Sequence, residues 1–191
     1  MEKQVDFWSY LKSNFLISES SQVALKDACS IQKLQKNEVL QPIGHTCKTI
    51  YFLEEGVARI FYYKDGIDVT EYFALEGDFI ARAESLFART PSKKGIQILE
   101  DAKVIAVDVN MLYQLYDTHH EIERLFRLIF ESAYVDTIQR IESFQFNSAE
   151  ERYLDLIKNH KNIVRRIPLK HIASYLGITQ VSLSRIRSKI K

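Results

Sequence analysis

Between about Ile31 and Val109 the chain breaks into short apolar runs that are too brief for helices and too regular for loops. They are Thr49-Ile50-Tyr51-Phe52-Leu53, Val57 to Tyr63, Val69-Thr70-Glu71-Tyr72-Phe73, Ile96-Gln97-Ile98-Leu99 and Lys103-Val104-Ile105-Ala106-Val107. β-Branched and aromatic residues dominate them, and these fit a pleated, half-buried surface. Turn chemistry separates them: Pro42-Ile43-Gly44, Glu54-Glu55-Gly56, Lys64-Asp65-Gly66 and Glu76-Gly77-Asp78. Many short strands with no helix between them predict an antiparallel sandwich or jelly roll. Lys64-Asp65-Gly66 is the clearest hairpin, because Asp-Gly takes the positive φ that a two-residue turn needs.

Helical patterns flank this block, which makes the expected class α+β. Phe7, Trp8, Leu11 and Phe15 recur at helix spacing, and Val23, Ala24 and Ala28 continue after a Ser-Glu-Ser-Ser break. Ser20 or Ser21 is the expected N-cap of that second helix. From Asn110 to about Phe146 the apolar spacing predicts one long helix carrying Leu115, Ile122, Leu125, Phe126, Ile129, Ala133 and Ile138. Such a helix needs a partner along its length, either its own roll or a second copy. Ser148-Ala149-Glu150-Glu151 is a capping box that opens a further unit. The expected organisation is therefore a β-roll over 1–109, a central helix over 110–147 and a helical domain over 148–191.

The formal net charge of +1 conceals two opposed parts. Acids outnumber bases up to Asn147. After Asp155 there is no acid, while Lys158, Lys161, Arg165, Arg166, Lys170, Arg185, Arg187, Lys189 and Lys191 follow. That asymmetry predicts a C-terminal part facing a polyanion. The charged opening Met1 to Asp6 lacks an apolar h-region, and no apolar run spans a bilayer, so a cytoplasmic protein without a membrane partner is expected. Cys29 and Cys47 are the only cysteines, too few for a four-ligand zinc or iron–sulfur site, and no metal is expected.

The most specific pattern lies between Leu169 and Ile186. Ile172, Leu176, Ile178, Leu183 and Ile186 suit the core between two helices, and Ala173 is small where they cross. Gly177 falls at the turn, where only glycine takes positive φ cheaply. Thr179 is placed to cap the second helix. This is the helix-turn-helix pattern. Its outer face carries Gln180, Ser182, Ser184, Arg185, Arg187 and Lys189 without an acid. With Thr179, these are the expected DNA-binding residues: early side chains reach base edges, and flanking Arg and Lys meet phosphates. Arg185 suits a bidentate contact to guanine. Gln180 suits adenine or a phosphate.

A jelly roll, a connecting helix and a C-terminal helix-turn-helix resemble the Crp/Fnr family of bacterial transcription regulators. The likeness is sharpest at Ile172-Ala173-Ser174-Tyr175-Leu176-Gly177-Ile178-Thr179 and Leu183-Ser184-Arg185-Ile186. It implies a homodimer on a pseudo-palindromic operator, contact with RNA polymerase, and a dimer seam on the long helix, giving Ile122, Leu125, Phe126 and Ile129 as interface candidates. The family commonly has a Glu where Val181 stands here, so a different operator is expected.

The resemblance also implies a small-molecule effector in the roll, held by a cassette of Gly-Glu followed by Arg-Ser/Thr-Ala. This chain instead reads Arg82-Ala83-Glu84-Ser85-Leu86-Phe87 and then Pro91-Ser92-Lys93-Lys94-Gly95. Arg82, Glu84, Ser85, Ser92, Lys93 and Lys94 are the pocket candidates. Lysines lack the planar fork that an arginine offers a phosphate. No resident cofactor is expected, and the altered cassette argues against cAMP or cGMP in favour of another ligand or none.

Two other functions compete. A cupin-like enzyme shares the jelly roll, but its metal needs a His-x-His pair that does not occur here. No nucleophile elbow, Walker loop or dinucleotide fingerprint occurs either, so no catalytic residues are assigned. A small-molecule sensor or interaction module that binds no specific DNA is the second alternative, and it would lack the steep salt dependence of phosphate contacts.

Overall fold

The computed structural model describes residues 5–160 and 162–190; Lys161 and Lys191, two bases of the C-terminal run, lie outside them. The chain divides into two compact units, Met1–Ile60 with Phe73–Glu131, and Phe61–Tyr72 with Ser132–Lys191.

Two short helices open the first unit. In α1 (Phe7–Asn14) the Asp6 carboxylate accepts from Ser9 N, which satisfies one free N–H of the first turn. The cap of α2 (Glu19–Asp27) is Ser18, not Ser20 or Ser21; the two later serines lie inside the first turn, and Ser21 N donates to Ser18 Oγ. The strands are β1 (Cys29–Leu34), β2 (Val39–Gln41), β3 (Thr49–Glu55), β4 (Ala58–Lys64), β5 (Ile67–Ala74), β6 (Phe79–Ile80), β7 (Gly95–Ile98) and β8 (Ala102–Asp108). They form two four-stranded sheets in the orders β1-β8-β3-β6 and β2-β7-β4-β5. The assigned pairings of β8 with β1 and β3, of β3 with β6, and of β2 with β7 are antiparallel. The expected double-sheet roll is thus present.

The helices depart from expectation in three places. α3 (Ala83–Ala88) sits among the strands where none was expected; it is short, and its Ala-Glu-Ser-Leu-Phe-Ala sequence carries no helical period of its own. The long helix is broken in two, α4 (Val109–Tyr116) and α5 (His120–Phe146). At the break Thr118 N and His119 N both return to Leu115 O, and Thr118 Oγ1 lies 2.8 Å from His119 Nδ1. Local polar side chains therefore compete with helix propagation there. The third is α7 (Ile163–Arg166), one turn that is too short to be read from spacing.

One core gathers the outer helices onto the sheet. Phe7, Leu11, Leu25, Phe52, Ile105, Leu112, Ile122, Leu125 and Phe126 are all buried in it. Phe7, Tyr10, Phe52 and Phe79 form a tilted ring cluster with centroids 4.9–6.2 Å apart. The Phe7–Phe52 and Phe52–Phe79 pairs, at 5.1 and 4.9 Å, are tilted by 55° and 59°, and Phe7–Phe79 is edge-to-face at 70°, all away from the disfavoured face-to-face stack.

In the second unit, Asp65 (φ 52°) and Gly66 (φ 77°) make the tight β4–β5 turn that Asp-Gly predicts. The remainder is α5 from Ser132 onward, α6 (Ala149–Asn159), α7, α8 (Leu169–Tyr175) and α9 (Gln180–Lys189). Ser148 Oγ accepts from Glu151 N while the Glu151 carboxylate accepts from Ser148 N at 2.7 Å, completing the capping box.

Candidate nucleic-acid interface and effector cassette

The α8–α9 pair has the geometry its sequence predicts. Gly177 adopts φ +70° at the turn. Conformation favours glycine there, and a Cβ would lie 3.0 Å from Phe144 Cε1, a contact the ring would have to relieve by a few tenths of an ångström. Thr179 Oγ1 accepts from Ser182 N at 3.1 Å and starts α9. Ile172, Ala173, Leu176 and Leu183 are buried between the helices, whereas Ile178 and Ile186 are only half-buried at the margin.

The outer side of α9 is open. Thr179, Gln180, Ser184, Arg185 and Lys189 are exposed, and Ser182 and Arg187 are half-exposed. Val181 is 63% exposed, an apolar side chain standing on this polar face. Arg165, Lys170 and Lys158 are exposed on the neighbouring helices and their connections. The cations are therefore available to a polyanion rather than spent inside the unit.

Sequence reading missed what braces the turn. Arg140 Nη2 donates to Tyr175 O at 3.0 Å, and Arg152 Nη2 donates to Leu176 O at 2.9 Å. Both carbonyls belong to the C-terminal end of α8, where cations are favoured and acceptors lack partners. The Arg140 guanidinium lies 3.8 Å from the Tyr175 ring centroid and 5.0 Å from that of Phe144; Arg152 lies 4.6 Å from Phe144. Arg140 and Phe144 stand four apart on α5, which was the one available hint. In the same unit Thr70 N donates to Ser174 Oγ at 2.9 Å, fastening α8 to the β4–β5 hairpin segment.

The four dimer-seam candidates lie near the start of α5. Ile122, Leu125 and Phe126 are buried in the core of the first unit, and Ile129 packs against it. Ile122, Leu125 and Phe126 are enclosed by their own roll, whereas Ile129 is half-buried and keeps part of its side chain open. The exposed large apolar residues of α5 come later: Tyr134, Val135, Ile138, Ile141, Phe144 and Phe146. Tyr134, Ile138 and Ile141 follow the four-three spacing of a helical seam.

Around α3 the structure unites three of the pocket candidates. Arg82, only 5% exposed, donates through Nε and Nη2 to Glu84 Oε1 at 3.3 and 2.8 Å. Ser92 Oγ, also buried, donates to the same oxygen at 3.1 Å and accepts from Lys94 N at 3.2 Å. Burial alone would raise the Glu84 pKa, but the Arg82 hydrogen bond and charge, with Ser92, outweigh it and hold the carboxyl below its usual range. Ser85 is fully buried and faces the loops, accepting from Cys47 N at 2.9 Å and donating to Thr90 O. It fastens the turn and is closed to a ligand. Lys93 is exposed and Lys94 half-buried.

Residues 31–119 match the family model of the cyclic nucleotide-binding domain. Among solved structures, the chain resembles FixK2 from Bradyrhizobium japonicum with a TM-score of 0.72 at 17% identity, covering 85% of this chain and 84% of that one. A putative Crp/Fnr-family regulator from Eubacterium rectale matches at 0.70 and 15% identity, over 93% and 85% of the two chains. CLP, a c-di-GMP-responsive global regulator of Xanthomonas campestris, matches at 0.68 and 12% identity, over 91% of each. A search of curated proteins returned no match. The chain therefore shares the fold of these structures, one described as a putative Crp/Fnr-family regulator and one as a global regulator, and residues 31–119 form a β-roll of the cyclic nucleotide-binding type.

Proposed function

We propose that this chain is a DNA-binding transcription regulator of Crp/Fnr type that reads a two-fold-symmetric operator as a homodimer. The observation that carries the reading is α9 itself: a helix capped by Thr179, set by the Gly177 turn, and presenting Gln180, Ser184, Arg185 and Lys189 on an exposed face without an acid. Arg185 and Gln180 supply hydrogen bonds to base edges, Arg187 and Lys189 neutralise phosphates, and Val181 offers an apolar contact of the kind a thymine methyl accepts.

The second copy in this reading meets the exposed stripe Tyr134, Ile138 and Ile141. A parallel seam there suits two recognition helices about 34 Å apart, one turn of DNA. Selection of bound sequences from a randomised duplex pool tests the whole proposal. Enrichment of a two-fold-symmetric site, with affinity falling steeply in salt, is the expected result. Recovery of random sequences with a shallow salt slope would favour the interaction-module alternative.

A further inference from the structure

The cyclic nucleotide-binding match over residues 31–119 implies a phosphate-bearing effector, and the first test is whether the residues present fit one. A cyclic phosphate is a single negative charge whose oxygens seek an arginine fork and a hydroxyl. Among the described residues, the first unit has two buried arginines beside this fold's strands and cassette, Arg59 and Arg82, and both are engaged. Arg59 donates through Nε and Nη2 to Gln97 Oε1 at 2.9 and 2.8 Å. Arg82 donates through the same pair of atoms to Glu84 Oε1. Ser92, the buried hydroxyl, is directed at that same Glu84 oxygen. The residues therefore do not fit a cyclic phosphate as they stand: it would have to displace a carboxylate and settle beside its charge.

We infer that Glu84 is a built-in anion for this cassette, its carboxylate taking the Arg82 fork and the Ser92 hydroxyl that an effector phosphate would need, so that these donors are satisfied without a cyclic nucleotide. One oxygen collects Nε, Nη2 and Oγ donors at 3.3, 2.8 and 3.1 Å, a donor set suited to a phosphate oxygen. The depressed pKa of Glu84 agrees with a carboxylate that stays charged wherever the protein is folded near neutral pH. The loop bearing Ser92 is itself fixed, since Ser92 N donates to His45 O at 3.0 Å and Ser92 O accepts from Gly44 N at 2.7 Å. The buried Arg82 and Ser92 donors are thus preorganised around the chain's own carboxylate, whose side chain is itself 56% exposed at the surface of the cassette.

The inference rests on the roll and stands apart from the DNA-binding proposal, so its test reads the roll directly. Thermal melting of the full chain would be followed with cAMP, cGMP and inorganic phosphate at millimolar concentration. The wild-type midpoint should not move with any of them. Glu84→Ala should release the donors and gain a rise of about 3 °C or more with phosphate or a cyclic nucleotide. Glu84→Gln, which keeps the shape and removes the charge, serves if the alanine variant fails to fold and should gain a smaller rise. A wild-type midpoint raised by cAMP or cGMP would overturn the inference, as would folded Glu84 variants that stay indifferent to all three anions.

Discussion

Lys103 Nζ lies 2.6 Å from Glu54 Oε2, while the other oxygen of the same carboxylate accepts from Phe7 N at 2.9 Å. Glu54 is 2% exposed, so one buried charge ties β8 and the start of α1 to β3. The hydrogen bond from Lys103 raises the lysine's pKa against the opposing effect of its burial. Removing Glu54 leaves Lys103 to solvent and the buried Phe7 N–H without its acceptor. Glu54→Ala should cost about 1–2 kcal/mol in denaturant unfolding, chiefly through the Phe7 N–H it leaves without its acceptor, and Glu54→Gln less, because the amide oxygen still accepts from Phe7. Equal losses would mean that the Phe7 contact contributes nothing.

The turn of the α8–α9 pair is expected to be equally intolerant. Gly177→Ala places a Cβ 3.0 Å from Phe144 Cε1 at φ +70°. A loss of about 1–2 kcal/mol in thermal unfolding is expected. Arg152→Ala takes a hydrogen bond from Leu176 O and should weaken DNA binding with little change in circular dichroism. Unaltered affinity in that variant would show that the brace is dispensable.

Substitutions on α9 should separate specificity from affinity. Arg185→Ala should remove preference for the selected operator by about 1–3 kcal/mol while the protein stays folded. Lys189→Ala should weaken all sequences alike and lower the salt slope by about one unit. Fluorescence anisotropy across a salt series distinguishes them, and a uniform loss in the Arg185 variant would move that residue from base reader to phosphate contact.

Oligomeric state distinguishes the two halves of α5. Ile138→Lys, on the exposed stripe, should halve the mass seen by light scattering and leave the melting curve largely intact. Leu125→Lys, in the core of the first unit, should instead unfold that unit, because it buries an unpaired charge. A monomeric wild-type protein would refute the seam.

Acid should loosen the structure through its capping and paired carboxylates. Asp6, hydrogen-bonded by Ser9, and Glu84, held by Arg82 against the effect of burial, both have pKa values lowered in the fold. Groups lowered in this way contribute fully above their unfolded values and lose that contribution as pH falls through the folded ones. Stability measured from pH 5 to pH 2 should therefore decline less steeply in Glu84→Gln than in the wild type. Superimposable profiles would remove Glu84 from the acid response.

Much of this protein is legible along the chain. Strand chemistry between turns, the Asp65-Gly66 hairpin, the Ser148 capping box and the Gly177–Thr179 turn are local, set by residues a few positions apart, and the structure reproduces each. The open face of α9 follows from the same local periodicity, since the buried positions of a helix define the exposed ones. What only the tertiary structure decided depends on partners far away in sequence. Spacing cannot tell a helix face covered by its own roll from one left free, so Ile122 and Ile138 look alike until the core claims the first. Nor does spacing pair Ser92 with Arg82 on one oxygen of Glu84, or Arg152 with the carbonyl of Leu176; each needs the chain to return on itself, where hydrogen bonding to a buried group decides what the residue can still bind.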